Sequence, residues 1–324
     1  MPDVAQRALC DAADSPGYPT VAGASALREA AVGWMTRRLD VTAVPSDAVL
    51  PVIGTKEIVA WLPTLLGLGA GDRVVVPELA YPTYEVGALL AGATVVRSDA
   101  TLSVGPAPVR AVWLNSPSNP TGRVLPAEHL AKVVAWARER GAVVLSDECY
   151  VELGWDAQPV SVLHPDVCGG SAEGVLAVHS MSKRSNLAGY RAGFVTGDTE
   201  LVKQLRELRK HAGGMVPMPV QAAMTAVLGD DEHVEVQRAR YARRREVLLA
   251  ALRAAGLTVE HSEAGLYLWA TRGEPCWDTV DWLAGRGILV APGSFYGSAG
   301  ERHVRVALTA SDDAVASAAQ RLAG

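Results

Sequence analysis

The sequence has little cysteine and no long hydrophobic run. Its four cysteines among 324 residues include no CxxC pair, which argues against a disulfide framework and predicts reduced thiols in a cytoplasmic protein. The longest apolar stretch, residues 58–71, is too short to cross a membrane and contains Pro63. The opening residues, MPDVAQRALCDAAD, lack the basic and apolar regions of a secretory signal. We therefore expect no membrane partner.

Basic residues are not in excess either. The chain carries 30 Lys and Arg against 35 Asp and Glu, a formal net charge of −5, and no basic stripe, which argues against nucleic acid as a partner. The seven histidines show no metal-ligand spacing, and DDEH at 230–233 is typical of an acidic helix start. GLGAGD at 67–72 follows a helix pattern and precedes a strand, so it predicts a turn and not a dinucleotide loop. We expect no metal site.

Short apolar runs alternate with helical patterns from about residue 48 to 198. Continuous Val and Leu runs separated by helices predict a parallel sheet covered on both faces. AGFVTGD follows the preceding strand after too few residues for a helical crossover, so we predict an antiparallel strand there. The other predicted strands are AVLPVIG, DRVVVPE, TVVRSD, RAVWLNSP, AVVLSDE and GVLAVHS.

The character of the sequence changes after Asp230. A single long helix is predicted from DDEHVEVQ onward, followed by the short strands and one helix of an α+β unit. A chain of 324 residues is long enough for two domains. We predict a large domain over 18–238 and a small domain built from 1–17 and 239–324.

Polar residues follow several of the predicted strands. They are Asn119, Asp147, Tyr150, Ser180 and Lys183. The carboxyl ends of parallel strands share one edge of the sheet, so these side chains are expected to meet in one crevice. Each alone could be a solvated loop or turn residue, but their occurrence together favours a site.

The chemistry of these residues predicts a pyridoxal phosphate (PLP) site. Lys183 offers an amine that can form a Schiff base with an aldehyde. The helix that begins at Thr55 offers free N–H groups to a phosphate, and Arg191 can bind the same group bidentately. Asp147 can hold a cation such as a protonated ring nitrogen, which PLP needs in order to act as an electron sink.

The segments SMSKRSNLAGYRAG and SDECY resemble class I/II aminotransferases, PLP-dependent enzymes of fold type I. The resemblance implies a mostly parallel seven-stranded sheet between helices, with a smaller α+β C-terminal domain. It implies that Lys183 forms the internal aldimine and then moves the proton between substrate and cofactor. It also implies that Asp147 pairs with the pyridine nitrogen and that Tyr150 and Asn119 contact the 3′ oxygen.

The same resemblance assigns the phosphate ligands. Ser180 and Arg191, with the backbone at Thr55 and Lys56, are expected to hold the phosphate. Tyr18, in GYPTVAGASALREA, matches a tyrosine that reaches the phosphate of the other subunit. The resemblance therefore implies a homodimer with shared active sites.

The resemblance also assigns the remaining contacts. Tyr81, in AYPTY, takes the place of the aromatic residue that stacks on the ring, and Arg305, in HVRVAL, matches the arginine that binds the substrate α-carboxylate beside Asn119. No clear arginine is found for a distal carboxylate, because Arg184 and Arg123 can equally be surface or loop charges. The implied substrates are an amino acid and a 2-oxo acid.

Within the family, GTKEIVAWLPTLLGLGAGD and HVRVALTASDD resemble the actinobacterial succinyldiaminopimelate transaminases. This implies amino transfer between glutamate and N-succinyl-L-2-amino-6-oxopimelate in lysine and diaminopimelate biosynthesis. Alternatives are another class I/II aminotransferase of aromatic, alanine or aspartate type, a C–S lyase or decarboxylase on the same fold, or a PLP-binding regulatory module. Only 17 residues precede Tyr18, where the family has a longer arm over the substrate, so we expect normal PLP binding but weaker substrate use.

Overall fold

The computed structural model describes residues 1–324, which form two β-sheets and twelve α-helices. The large sheet contains β1 (Val49–Ile53), β2 (Arg73–Val76), β3 (Thr94–Arg97), β4 (Ala111–Asn115), β5 (Val143–Asp147), β6 (Val175–Ser180) and β7 (Ala192–Gly197). The small sheet contains β8 (Thr258–Glu260), β9 (Tyr267–Thr271), β10 (Ala291–Pro292) and β11 (Val304–Ala307).

The helices precede, connect and follow these strands. They are α1 (Asp3–Asp11), α2 (Ser25–Leu39), α3 (Thr55–Leu65), α4 (Thr83–Leu90), α5 (Ala127–Glu139), α6 (Pro165–Cys168), α7 (Met181–Arg184), α8 (Thr199–Ala212), α9 (Met218–Leu228), α10 (Glu232–Ala254), α11 (Cys276–Ala284) and α12 (Asp312–Ala323). None of them combines the length and the apolarity that crossing a membrane requires.

The large sheet has the strand order β1-β7-β6-β5-β4-β2-β3. Strands β2 to β6 pair in parallel, whereas β7 runs antiparallel to both β1 and β6. The link from β6 to β7 contains only α7 and one 3-10 turn, too little for a helical crossover, so β7 runs antiparallel to β6. This confirms the predicted, mostly parallel seven-stranded sheet and the antiparallel AGFVTGD strand.

Apolar residues cover the large sheet on both faces. One cluster of 36 buried residues includes Trp34 and Phe194, and another of 20 includes Tyr84 and Trp113. The central strands read as continuous apolar runs because neither face meets water, whereas Thr94 and Arg97 of the edge strand β3 are exposed. A third cluster, which includes Leu252, packs between the small sheet, α10 and α12.

The long helix predicted after Asp230 is confirmed as α10, with Glu232 and Glu235 in its first turn. The predicted domain boundary at residue 238 falls within this helix and stays a prediction. Helix α1 packs against α9, and its Ala5 is buried in the core of the large sheet. The grouping of residues 1–17 with the small domain also stays a prediction.

Backbone hydrogen bonds join the small sheet to the loop after β4. Ser262 N donates to Thr121 O at 2.9 Å, and Ala264 N donates to Gly122 O at 3.0 Å. These bonds hold β9 and β11 near the carboxyl ends of β4, β5 and β6, where parallel sheets of this kind place their sites.

Candidate active site

A cavity of about 320 Å³ lies at the carboxyl ends of β4 to β6. Its lining includes residues of the large sheet, of α3 and of the small sheet. Of the predicted site residues, the structure brings together Thr55, Lys56, Tyr81, Asn119, Asp147, Tyr150, Ser180, Lys183, Arg191 and Arg305. Their proposed roles stay predictions, but their convergence agrees with the expectation of one crevice.

Lys183 is carried by the short helix α7, which begins directly after β6. The side chain of Ser180 caps this helix by accepting a hydrogen bond of 3.2 Å from Ser182 N. The amine of Lys183 is half-buried, makes no ion pair, and lies 5.9 Å from the centroid of the Tyr150 ring. The cap fixes the backbone that carries Lys183, and the amine has no ion-pair partner.

Asp147 ends β5 as a buried carboxylate without a cationic partner. Its Oδ2 accepts a hydrogen bond of 2.8 Å from the hydroxyl of Tyr84, and its Oδ1 accepts one of 3.1 Å from Cys149 N. Burial raises the pKa of Asp147, while the hydrogen bonds from Cys149 and Tyr84 and the charge of Lys183 oppose that rise. The two hydrogen bonds fix the Asp147 carboxylate, which can therefore bind a cationic group of a ligand.

The anion end of the cavity forms around the start of α3. Gly54 precedes this helix with φ of 73°, and no side chain caps the helix. A Cβ at Gly54 would lie 2.2 Å from Nη2 of Arg191, so only glycine lets the guanidinium approach the helix start this closely. The backbone of Arg191 is in the left-handed region, with φ of 53°. Its Nη1 donates a hydrogen bond of 2.7 Å to Ala188 O.

Hydroxyl groups complete this end. Thr55, Ser180 and Ser182 line the cavity together with Arg191. A helix N-terminus, hydroxyl groups and a guanidinium form the donor set that binds a phosphate.

Arg305 faces the cavity from the small sheet. Its Nη1 donates a hydrogen bond of 2.8 Å to Oδ1 of Asn119, and its guanidinium carbon lies 3.9 Å from the centroid of the Tyr267 ring. The Nε atom is buried without a partner, and Arg305 makes no ion pair. A fixed guanidinium with unused donors is suited to binding a carboxylate.

Two tyrosines near Lys183 share a hydrogen bond. The hydroxyl groups of Tyr150 and Tyr267 lie 2.9 Å apart, and burial raises the pKa of Tyr150 well above its ordinary value. Tyr81 lies with its ring centroid 6.0 Å from the amine of Lys56. The cavity thus combines the hydroxyl groups of two tyrosines with the aromatic ring of a third.

Tyr18, and the two arginines considered for a distal carboxylate, lie elsewhere. Tyr18 is 97 % exposed and does not line the cavity of its own chain. Arg184 is buried and pairs with Glu152 at 2.6 Å and Asp231 at 2.9 Å, so it has a structural role and is not free for a distal carboxylate. Arg123 is exposed and lines a second cavity of about 290 Å³.

The sequence analysis missed four polar residues of the site. Ser182 and Cys149 lie inside motifs that had already been singled out, so their position after a strand was the available signal. Tyr84 ends the quoted motif AYPTY, but nothing in the sequence distinguishes it from a core residue. Tyr267 gave no signal, because tyrosine is ordinary in a buried strand. No group of three or more His, Cys, Asp or Glu residues is arranged as a possible metal site.

Comparison with known proteins places this geometry in context. A family model described as aminotransferase class I and II matches residues 1–322. The chain is 64 % identical over 317 residues to the probable aminotransferase Rv1178 of Mycobacterium tuberculosis, covering 98 % of this chain and 76 % of that protein. It is 62 % identical over 321 residues to the 4-dedimethylamino-4-oxo-anhydrotetracycline transaminase OxyQ of Streptomyces rimosus, covering 99 % and 89 %.

More distant similarity extends to other aminotransferases. An LL-diaminopimelate aminotransferase of Dehalococcoides mccartyi is 33 % identical over 339 residues, covering 98 % of this chain and 86 % of that protein. The structure of an aminotransferase from Staphylococcus aureus superimposes with a TM-score of 0.91 at 27 % identity, covering 100 % and 90 %. The chain therefore belongs to the class I and II aminotransferases, which have fold type I and depend on PLP.

Proposed function

We propose that Lys183 carries PLP in this protein and moves the substrate proton during transfer of an amino group. The observation that carries this proposal is the unpaired amine of Lys183 in one cavity with Asp147, Arg191 and Arg305. An amine, a buried anion and two separate guanidinium groups are what PLP and an α-amino acid require together.

The residues present fit PLP at both ends. Its phosphate would be held by Thr55, Ser180 and Arg191, where Gly54 leaves room for the guanidinium. Asp147 would pair with the ring nitrogen, which gives its buried carboxylate the cation that it lacks. When bound, PLP supplies an electron sink that stabilises negative charge at the substrate Cα.

The middle of the ring has its own neighbours. Tyr150 and Asn119 would donate hydrogen bonds to the ring oxygen, and the ring of Tyr81 would cover one face. The backbone at Lys56 would add to the phosphate contacts. The hydroxyl of Tyr150 stays protonated at neutral pH because burial raises its pKa, so it is a donor there.

The substrate would be oriented by Arg305. A carboxylate bound to its unused donors places the adjacent Cα toward Lys183, because both side chains line the same cavity. The stacking of Arg305 on Tyr267 and its bond to Asn119 fix the guanidinium before the substrate arrives. The free amine of Lys183 can then accept the Cα proton and return it to the product.

We propose glutamate as the amino donor and N-succinyl-L-2-amino-6-oxopimelate as the acceptor. The resemblance of whole segments to succinyldiaminopimelate transaminases supports this, and so does similarity to LL-diaminopimelate aminotransferases. Both features favour a long acceptor with charged ends in lysine biosynthesis.

Similarity to OxyQ supports a second candidate acceptor. That protein is named for a ring ketone, 4-dedimethylamino-4-oxo-anhydrotetracycline, and it is 62 % identical to this chain. A ring ketone carries no α-carboxylate, so its use would not depend on Arg305. The dependence of each half-reaction on Arg305 therefore separates the two candidates.

We also propose a homodimer located in the cytoplasm, in which Tyr18 completes the site of the neighbouring chain. A tyrosine that is 97 % exposed supports this arrangement, because it is available to a second copy. The four free cysteines are compatible with a reducing compartment.

The test separates the two half-reactions. Glutamate alone should release up to one equivalent of 2-oxoglutarate per PLP, before any acceptor is added. After removal of glutamate, N-succinyl-L-2-amino-6-oxopimelate, the tetracycline ketone, oxaloacetate and pyruvate are compared by the specificity constant for the aminated product. If oxaloacetate is the best acceptor, the proposed substrate is wrong. Release of ammonia, pyruvate and sulfide from added cysteine, without aminated product, would indicate a C–S lyase.

A further inference from the structure

Two ionisable side chains are buried against each other behind the cavity. Glu148 directly follows Asp147, and His179 directly precedes Ser180. The side chains of Glu148 and His179 are each 1 % exposed, and His179 Nε2 lies 3.7 Å from Glu148 Oε2. Because side chains alternate along a strand, these two point away from the face that carries Asp147 and Ser180.

The hydrogen bonds of this pair are incomplete. Glu148 Oε1 accepts bonds from Val162 N at 2.7 Å and from the hydroxyl of Ser146 at 3.0 Å. Glu148 Oε2 and both ring nitrogens of His179 have no partner. Buried polar atoms without partners cost free energy. A closure of about 1 Å would convert the 3.7 Å separation into a hydrogen bond.

The packing around His179 leaves it little else to contact. Its ring lies 5.0 Å from that of Trp34 and 5.1 Å from that of Phe194, centroid to centroid. A residual space of about 10 Å³ borders the pair, at the lower limit of what holds one water. Glu148 is therefore the polar partner within reach of His179.

Four other titratable groups lie around the pair. They are Asp147, Cys149, Glu152 and Arg184. Arg184 and Glu152 already pair with each other at 2.6 Å, and Asp147 adds negative charge. No free cation is therefore available to Glu148, whose charge is most easily removed by a proton.

We propose that Glu148 and His179 share one proton in the folded protein, and that this neutral pair positions Asp147 and Ser180 in the cavity. The backbone supports the second part, because Glu148 N donates to Val178 O at 3.0 Å and continues the pairing of β5 with β6. Both strand ends are thus joined by main chain and by side chain just beside the residues that face the cavity.

The proton count gives the proposal a measurable sign. Burial raises the pKa of Glu148 to about 7 and lowers the pKa of His179 to about 3. Between about pH 4.5 and 6.5 the folded pair holds one proton on the carboxyl group, and the unfolded chain holds one on histidine. The pair therefore adds no pH dependence to unfolding in this window.

Single substitutions break this balance in opposite directions. With Glu148→Gln, the folded protein binds no proton here while the unfolded chain still binds one on His179, so stability falls as pH falls. With His179→Gln, the folded protein binds one proton on Glu148 and the unfolded chain binds none, so stability falls as pH rises. Each imbalance changes the unfolding constant by up to about tenfold per pH unit.

The experiment is urea unfolding of the full chain with PLP in fixed excess, followed by tryptophan fluorescence from pH 4.5 to 6.5. Opposite pH slopes for the two variants, each relative to wild type, are expected. His129→Gln is the control, because His129 is half-exposed and forms no ion pair with a carboxylate. Parallel profiles for wild type and Glu148→Gln would overturn the shared proton, even if His179→Gln fails to fold.

The positioning part rests on the proposed PLP site and has its own readout. His179→Ala should weaken PLP binding about tenfold or more, and His179→Gln should restore it to within about threefold of wild type, since a neutral polar side chain again reaches Glu148. If His179→Ala binds PLP as tightly as His179→Gln does, the positioning role is wrong. Failure of PLP to bind the wild-type protein would instead count against the proposed function, and the pH slopes would still test the shared proton.

Discussion

The hydroxyl of Tyr84 donates a hydrogen bond of 2.8 Å to Oδ2 of Asp147, joining α4 to the end of β5. Tyr84 is fully buried and stacks on Trp113 with ring centroids 4.7 Å apart. Burial raises the pKa of Tyr84 well above its ordinary value, so it remains a donor across the working pH range. Asp147 therefore receives a fixed donor that its own strand does not provide.

Tyr84→Phe should weaken PLP binding and lower kcat by about ten- to a hundredfold, the value of a hydrogen bond to a charged group. Without this donor the pKa of Asp147 rises further, so activity should be lost at a higher pH on acidification. Tyr241→Phe is the control, because it removes a tyrosine hydroxyl bonded to Asn186 in the small-sheet core. Unchanged PLP affinity in Tyr84→Phe would show that this bond does not serve the site.

Lys183→Ala should retain the fold but lose transamination by a factor on the order of 10⁴ or more, because the group that moves the proton is absent. Borohydride reduction should link PLP permanently to Lys183 in the wild type only, and peptide mass spectrometry should detect the modified residue. Lys203→Ala, an exposed lysine paired with Glu200, is the control. Near-normal turnover by Lys183→Ala would contradict the proposed mechanism.

Arg305→Gln should lower kcat/KM for glutamate by about a hundredfold, mainly through KM, because the α-carboxylate loses its charged partner. Arg302→Gln tests an exposed arginine just before the same strand and should have little effect. If the acceptor is a ring ketone, only the glutamate half-reaction should be impaired. An unaffected KM for glutamate would remove Arg305 from the substrate site.

The sequence predicted the large sheet and the placement of Asn119, Asp147 and Lys183 because these depend on local pattern. The central strands are apolar runs, and each of these residues lies at or shortly after the end of its own strand. The pairing of β1 with β7 could not be predicted in this way, because Val52 and Gly193 meet across 140 intervening residues.

Contacts between the two sheets could not be predicted from the local sequence pattern either. Tyr267 reads as an ordinary strand residue, and it approaches Tyr150 only after the small sheet has docked. Arg184 is a similar case, because its position beside Lys183 left a ligand and a surface charge equally open. Its burial with Glu152 depends on the packing of α2 and α10, which no local segment contains.

Mixed dimers test the proposed role of Tyr18. Tyr18→Ala and Lys183→Ala should each be impaired, since each homodimer has two incomplete sites. After co-expression with separate tags, the hybrid purified through both tags should show about half of the wild-type specific activity, because one of its two sites is complete. A hybrid no more active than the mean of the two variant homodimers would show that the sites are not shared.

Glycine at position 54 is predicted to be required for the phosphate and not only for the turn. Gly54 and Gly67 have φ of 73° and 74°. Alanine at either position should therefore cost about 1–2 kcal/mol in backbone strain. A Cβ at Gly67 would meet nothing within 4 Å, whereas one at Gly54 would lie 2.2 Å from Nη2 of Arg191. Gly67→Ala is thus a control with equal strain and no contact.

Displacement of Arg191 should affect only ligands that carry a phosphate. Gly54→Ala should bind PLP at least about tenfold more weakly, while its affinity for pyridoxal without the phosphate changes little. Gly67→Ala should keep the wild-type ratio of the two affinities despite its lower stability. The measurement is equilibrium titration of the protein with each ligand. A Gly54→Ala variant that keeps the wild-type ratio would show that Arg191 does not bind the phosphate, because the substitution leaves the guanidinium no room beside the start of α3.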